Sequence, residues 1–226
     1  VFGLEGVQQI KDDIVVHGKG VEHDKRLEAL LARLQEFGIT LRKEKCVLGV
    51  KEVKWFGNLY SSQGMSPDPD KVKMIKDWPE PKDKSEVKSF LQTVQFSQVF
   101  MRPGKGRTYS DVTKPLRALT ALHVKFVWNQ ACKESFLELK RLLTSNTVMA
   151  CYSPKLATRI YCDEGPAGVA ATVAQLHTVK GEEHWRPVNY TSRAKTVSEL
   201  NYGKVDGESL GVLSGIMANK IYLYVT

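Results

Sequence analysis

The pair Asp12–Asp13 stands between Ile10 and the apolar run Ile14, Val15, Val16. Adjacent carboxylates repel, so such a pair either sits in a solvated turn or is held together by a cation. Neighbouring side chains of a strand point to opposite faces, yet at a tight turn both carboxylates can approach one site. Magnesium suits that donor set, because it takes oxygen ligands from one or two protein carboxylates and completes its octahedron with water and substrate phosphate. A two-metal phosphoryl-transfer centre needs a further Asp from elsewhere in the chain. On residue chemistry alone, an idle hairpin turn and a metal-binding turn both stay open.

Other chemistry is sparse. The four cysteines, Cys46, Cys132, Cys151 and Cys162, form no CxxC and have no His at zinc-ligand spacing, so a structural zinc site is not expected. They read as thiols of a reducing intracellular compartment, cytoplasmic or nuclear. None of the five histidines pairs with Ser or Cys in a nucleophile pattern. The bases say more. Thirty-three Lys+Arg against 25 Asp+Glu give a net charge of +8 and a pI near 9.2, a balance that suits a polyanionic partner, nucleic acid first. They gather at Arg42, Lys43, Lys45, Lys51 and Lys54, and at Arg102, Lys105 and Arg107. Such residues follow a phosphate backbone without reading sequence, or form a solvated basic surface. No apolar run approaches the ~18 residues of a membrane span, and no signal peptide opens the chain, so no membrane partner is expected.

The elements that must position these residues follow from periodicity. Residues 9–16 read as a strand, with the turn-prone HGKG after them. Leu27, Leu30, Leu31, Leu34 and Phe37 then mark one face of a helix over 21–37, with Gly38 as its stop. Two or three antiparallel strands are expected across 39–62. Pro67, Pro69, Pro79 and Pro81 bracket a short helix containing Val72 and Ile75. Helices are predicted over 85–100, with Ser85 as N-cap, over 112–122 and over 129–143. A basic loop at 102–111 separates the first two. From about 147 the texture turns to three consecutive strands, within 157–165, 168–177 and 186–194, and a last amphipathic helix over 197–224. The fold class is α+β, with soft boundaries near 64 and 147.

The ordered series "IKDDIVVHG", "GITLRKEKC", "VKWFGNLYSSQGM", "PDPDKVKMIKDWPEP", "SEVKSFL", "KPLRALT" and "FVWNQACKESFLELKRLLTSNTVMACYSP" resembles the Ty3/Gypsy-like retroelement reverse transcriptases. The resemblance implies a partial palm with its primer-grip hairpin over 1–64, a helical thumb and connection over 65–146, and a truncated ribonuclease H-like domain over 147–226. It implies RNA-directed DNA polymerase activity by two-metal phosphoryl transfer, Mg2+ as cofactor, and RNA and DNA as partners, both primer–template and RNA–DNA hybrid. Asp12 and Asp13 match the family's paired metal-binding aspartates, while Ile10 stands where the family often has Tyr. Trp55, Phe56 and Gly57 match the primer grip, although Trp55 and Phe56 could equally be core residues by their chemistry.

In the ribonuclease H-like part, "IYCDEGPAGVAATVAQ" is similar to the family's opening hairpin, which makes Asp163 the counterpart of a central metal ligand. Glu208 matches the Glu of the following helix, with Asp206 as a rival and Glu199 as a first-turn charge. Glu164–Gly165 departs from the small pair usual after that Asp, and "SFLQTVQFSQVFM" is more polar than its counterpart. Val1 in place of Met and the ending "YLYVT" read as a piece of something longer. The third palm aspartate and the remaining ribonuclease H ligands are expected outside it. The expectation is therefore a polymerase fragment, or alternatively a non-catalytic nucleic-acid-binding remnant of a decayed or co-opted element, with enzyme status and oligomeric state left open.

Overall fold

A computed structural model describes residues 3–104, 106–145, 147–179 and 181–224. The chain forms two compact units, Val1–Phe56 and Gly57–Thr226.

In the first unit, residues 9–16 do not make one strand. They supply the turn and arms of a hairpin, β1 (Val7–Ile10) and β2 (Asp13–Val16), with Ile10 opposite Asp13. Lys11 turns the corner at φ 52°. Helix α1 (Val21–Glu36) buries Leu30 and Leu34. Leu27 of the predicted stripe is half-buried, while Leu31 and Phe37 stay outside, 46% and 67% exposed. Gly38, at φ 66°, ends it by donating its N–H to Gln35 O (3.1 Å), while Ile39 N–H reaches Leu34 O (2.8 Å), a left-handed helix stop. Arg26 ties α1 to the hairpin: it donates to His17 O (2.7 Å), Glu5 (2.8 Å) and Glu22 (2.8 Å). Its side chain lies so close over Gly6 that a Cβ there would come within 2.6 Å of it. The strand expected at 39–49 is absent. The run Lys43–Lys45 makes a single 3₁₀ turn with no buried residue, because its alternating charges offer no apolar face to bury. Glu52–Trp55 forms β3.

The second unit begins with a tight hairpin, β4 (Asn58–Ser61) and β5 (Gly64–Pro67). Helices α2 (Pro69–Lys76), α3 (Lys84–Phe96), α4 (Tyr109–Leu119) and α5 (Gln130–Leu143) follow. Asp83, rather than Ser85, caps α3 by accepting from Glu86 N–H (2.8 Å), since a side chain must precede the first turn to reach its free N–H groups. These four helices share one core of Ile75, Val87, Phe90, Val94, Val112, Leu116, Phe136 and Leu139. At its centre Phe90 and Phe136 lie 4.6 Å apart, and Trp78 and Trp128 meet them edge-on. Lys140 fastens the end of α2 by donating to Lys76 O (3.0 Å) and Trp78 O (2.5 Å).

The three predicted strands form one antiparallel meander of β6 (Thr158–Glu164), β7 (Gly168–Val179) and β8 (Glu182–Ala194). Gln175, fully buried, locks the preceding loop by bonding Ser153 N–H (2.9 Å), Ser153 O (2.7 Å) and Thr158 Oγ (2.9 Å). The expected long terminal helix is instead a 3₁₀ turn at Glu199–Asn201, then α6 (Lys204–Ala218) and a short α7 (Lys220–Leu223). The inward face of α6 is glycine, not leucine. Gly207, Gly211 and Gly215 are buried, and a Cβ at Gly215 would stand 2.8 Å from Cys162 Sγ. Leucine side chains have no room there: Leu213 is 60% exposed and Leu210 half-buried.

Besides the side-chain bonds Gln98–Ser192, Ser110–Ser192 and Arg186–Gln63, two joints connect hairpin, helices and sheet inside this unit. Met65 and Met149 exchange both backbone hydrogen bonds at 2.8 Å, and Ala150 N–H continues to Pro187 O (2.6 Å), so β5 is linked through residues 149–150 to β8. The other joint is Asp111 of α4, whose Oδ2 accepts from Thr108 N–H (2.6 Å) and hydroxyl (2.8 Å) while Oδ1 accepts from Ala167 N–H (2.6 Å) in the β6–β7 turn.

Gly64 sits at φ 125° with Met149 O where a Cβ would be. Gly64→Ala combines backbone strain with a clash, and is expected to lower the unfolding free energy by about 2 kcal/mol. It should also strip exchange protection from the Met65 and Met149 amides. Urea titration and amide exchange read both effects, and unchanged protection contradicts the joint.

Candidate functional site

In the first unit the predicted carboxylates occupy the hairpin tip. Asp12 is in the loop and Asp13 opens β2, both exposed. As a donor set two adjacent exposed carboxylates fit what magnesium takes from a protein. They stand without a third: among the described residues no three His, Cys, Asp or Glu side chains converge on one point. Lys43 and Lys45 lie exposed on the 3₁₀ turn. Phe56, at φ 48° and 53% exposed, is a turn residue rather than core, and Trp55 is partly buried at the end of β3.

In the second unit Gly57, at φ 72°, is fixed by crowding as well as by its turn. A Cβ there would strike the ammonium of Lys71 and approach Phe96 to 3.0 Å. Lys71 itself sits 3.9 Å above the Phe96 ring, a cation held at the hairpin by an aromatic face. The β4–β5 hairpin is gripped from its other end by Arg186, which donates to Gln63 O (2.5 Å).

Strand alternation decides what β6 offers. Cys162 and Glu164 point to the face covered by α6, as the approaches of Gly215 to Cys162 and of Gly207 to Glu164 show. Asp163 therefore points to the other face, where it lines a cavity of about 390 Å³ with Arg102, Arg107, Tyr109, Tyr161 and Tyr190. Glu208 is exposed on α6, the helix that covers the Cys162 and Glu164 face of β6. Asp206 is exposed on the same helix. Glu164, the departure from the family pattern, is ion-paired with the nearly buried Lys195 and serves structure. Glu199 is clasped by Arg193 at 2.8 and 2.9 Å and accepts from Thr196 N–H at 2.8 Å.

The cavity is electropositive and aromatic. Arg102 lies 5.8 Å from the centre of the Tyr190 ring. Burial raises the Tyr190 hydroxyl above its ordinary value, with Arg102 acting against that rise. Burial pushes the Tyr109 hydroxyl up to about 12, and the residue forms part of the cavity wall. Arg107 is exposed at the rim, and Lys105 lies outside the described residues. Sequence reasoning missed Lys71, Tyr161, Tyr190 and Asp111. The aromatics at 161 and 190 carried a signal, since both lie in strands whose alternation puts them on the Asp163 face.

Residues 128–226 match the family described as the RNase H-like domain found in reverse transcriptase. Over 216 residues, 95% of the chain, the sequence is 26% identical to the Transposon Tf2-3 polyprotein of Schizosaccharomyces pombe, and 25% identical over the same length to the Tf2-7 polyprotein of that organism. The chain spans only 16% of the length of these curated relatives. Among solved structures, a foamy viral protease-reverse transcriptase dRH in complex with double-stranded DNA matches with a TM-score of 0.81 and 20% identity, covering 97% of this chain and 38% of that one. The foamy viral enzyme in complex with RNA/DNA hybrid matches with a TM-score of 0.79 and 20% identity, over 96% of this chain and 28% of that one. At such identity the structural likeness shows the fold alone. The likeness to retroelement reverse transcriptases that the motifs carry is thus borne out by sequence and by fold. Among the described residues no helix is long and apolar enough to cross a membrane.

The Arg193 clasp sets a pH signature. The guanidinium and the Thr196 amide hold Glu199 down at about 2 against an ordinary 4.5. A lowered carboxyl stabilises the fold above its unfolded value and loses that contribution as pH falls toward its folded value. The stability difference between the unmodified chain and Glu199→Gln is expected to be full at neutral pH and to vanish between about 4.5 and 2, read by urea unfolding across pH. A difference that persists unchanged at pH 2 contradicts the clasp.

Proposed function

We propose that this chain is the palm-end, thumb and ribonuclease H-like portion of a retroelement RNA-directed DNA polymerase, and that its residues hold a primer–template or RNA–DNA hybrid. The observation that carries the reading is likeness along nearly the whole chain to the fold of reverse transcriptases captured with double-stranded DNA and with RNA/DNA hybrid. The net charge of +8 agrees, since neutralising phosphates releases counterions and drives binding whatever the sequence.

Within that reading Asp12 and Asp13 would hold Mg2+ in the polymerase centre, with the further carboxylate coming from outside the described residues. Bound there, the metal would stabilise the charge of phosphoryl transfer. The chain's own work is positioning. The hairpin tip presents two acceptor groups, Phe56–Gly57 and Lys71 face the primer strand, and Arg102 and Arg107 meet phosphates. The arginines and tyrosines that line the cavity with Asp163 support a second reading for the ribonuclease H-like part, a non-catalytic nucleic-acid-binding surface.

Filter binding of a labelled RNA–DNA hybrid across a salt series tests the main reading, beside primer extension and hybrid cleavage with Mg2+. Log affinity is expected to fall linearly with log salt. Arg102→Ala and Arg107→Ala should each reduce the slope by about 1. Salt-independent or absent binding overturns the proposal. Hybrid cleavage abolished by Asp163→Asn overturns the second reading.

A further inference from the structure

We infer that the face of the β6–β7–β8 sheet opposite α6 is a stacking platform for single-stranded nucleic acid. The inference rests on the reading above, that the partner is nucleic acid, and specifies which form of it this face takes. Tyr161, Thr172 and Tyr190 lie in one row across the three strands. Arg159 and Ala174 are partners in the next row. Counting along β8, Trp185 is five residues from Tyr190 and would fall on the α6 face in a regular strand. A register shift at Val173/Ala174 inserts one extra residue into β8 and brings Trp185, the partner of Leu176, to the Tyr190 face. Re-aiming side chains in this way is what a β-bulge does, and a bulge is also where a strand accepts a proline, here Pro187. Arg159 confirms the placement: its guanidinium lies 4.2 Å from the Trp185 ring centre and 5.9 Å from that of Tyr161.

The result is an alternation of Trp185, Arg159, Tyr161, Tyr190 and Arg102 along one face. Tyr161 is 43% exposed and stands at the cavity mouth beside Arg102. Aromatic rings and guanidinium planes are surfaces on which unpaired bases stack, and the guanidinium edges bind phosphate. The distance from the Trp185 row to the Tyr161–Tyr190 row is four residues, roughly 13 Å along the strands, which suits two or three bases laid across a sheet. A duplex keeps its bases stacked inside and could offer this face only its backbone. Asp163, the one acid lining the cavity among the described residues, repels phosphate there and leaves its position to a base.

The test is fluorescence anisotropy with the full chain, using a short labelled oligothymidylate and a blunt duplex of the same length. Tyr161→Ala is expected to weaken single-strand binding roughly 5- to 150-fold, the factor for one stacked base, with duplex affinity unchanged. Tyr161→Phe keeps the ring and should keep single-strand affinity, which separates stacking from a folding defect. If Tyr161→Ala leaves single-strand binding intact, or weakens both ligands equally, the platform is overturned while the nucleic-acid reading stands. If the unmodified chain binds neither ligand at any salt, the parent reading falls and the platform with it.

Discussion

The carboxylate of Asp111 is shared between two elements, the start of α4 and the turn between β6 and β7. One oxygen closes the capping box at the start of α4, and the other accepts from the Ala167 amide in the turn between β6 and β7. A cap is worth about 1 kcal/mol and a partner for a buried amide about 1–3 kcal/mol, so the joint is strong for one residue. It also dictates composition around it. Gly165 has no room for a side chain because Asp111 fills the space, and Gly168 none because Ser110 lies 2.6 Å from where its Cβ would be. With α4 fixed there, the loop leading into Thr108 is held over the sheet, and Arg102 comes to rest near Tyr190. The electropositive cavity follows from that joint.

The same two-residue period of the strand that exposes Asp163 to this cavity sends Glu164 beneath α6, where Lys195 neutralises it. On that face the cavity lining places arginines and tyrosines around Asp163.

Much of this was legible in the residues. The 3.6-residue apolar repeats of α3 and α5 and the three-strand meander emerged because each has a strong local period and a buried face. The strand expected at 39–49 failed because propensity without a partner face does not make a sheet. The terminal helix departs from the amphipathic expectation because its contact face is built of glycines, while Leu213 points outward and Leu210 is only half-buried. At the site, the acids and the arginine pair were visible as residue types. Their grouping was not, because it depends on a joint at Asp111 and a bulge beside Val188, neither of which leaves a periodic trace.

Arg102, Arg107 and the hairpin around Gly57 are proposed above to form the nucleic-acid-facing side of the larger unit. Amide hydrogen exchange of the full chain, with and without a saturating RNA–DNA hybrid, tests it most directly. The account predicts new protection in the 101–104 and 106–108 segments and the 57–67 hairpin, with the outward face of α6 unchanged. Protection confined to α6, or none anywhere at a hybrid concentration that saturates binding, would contradict it.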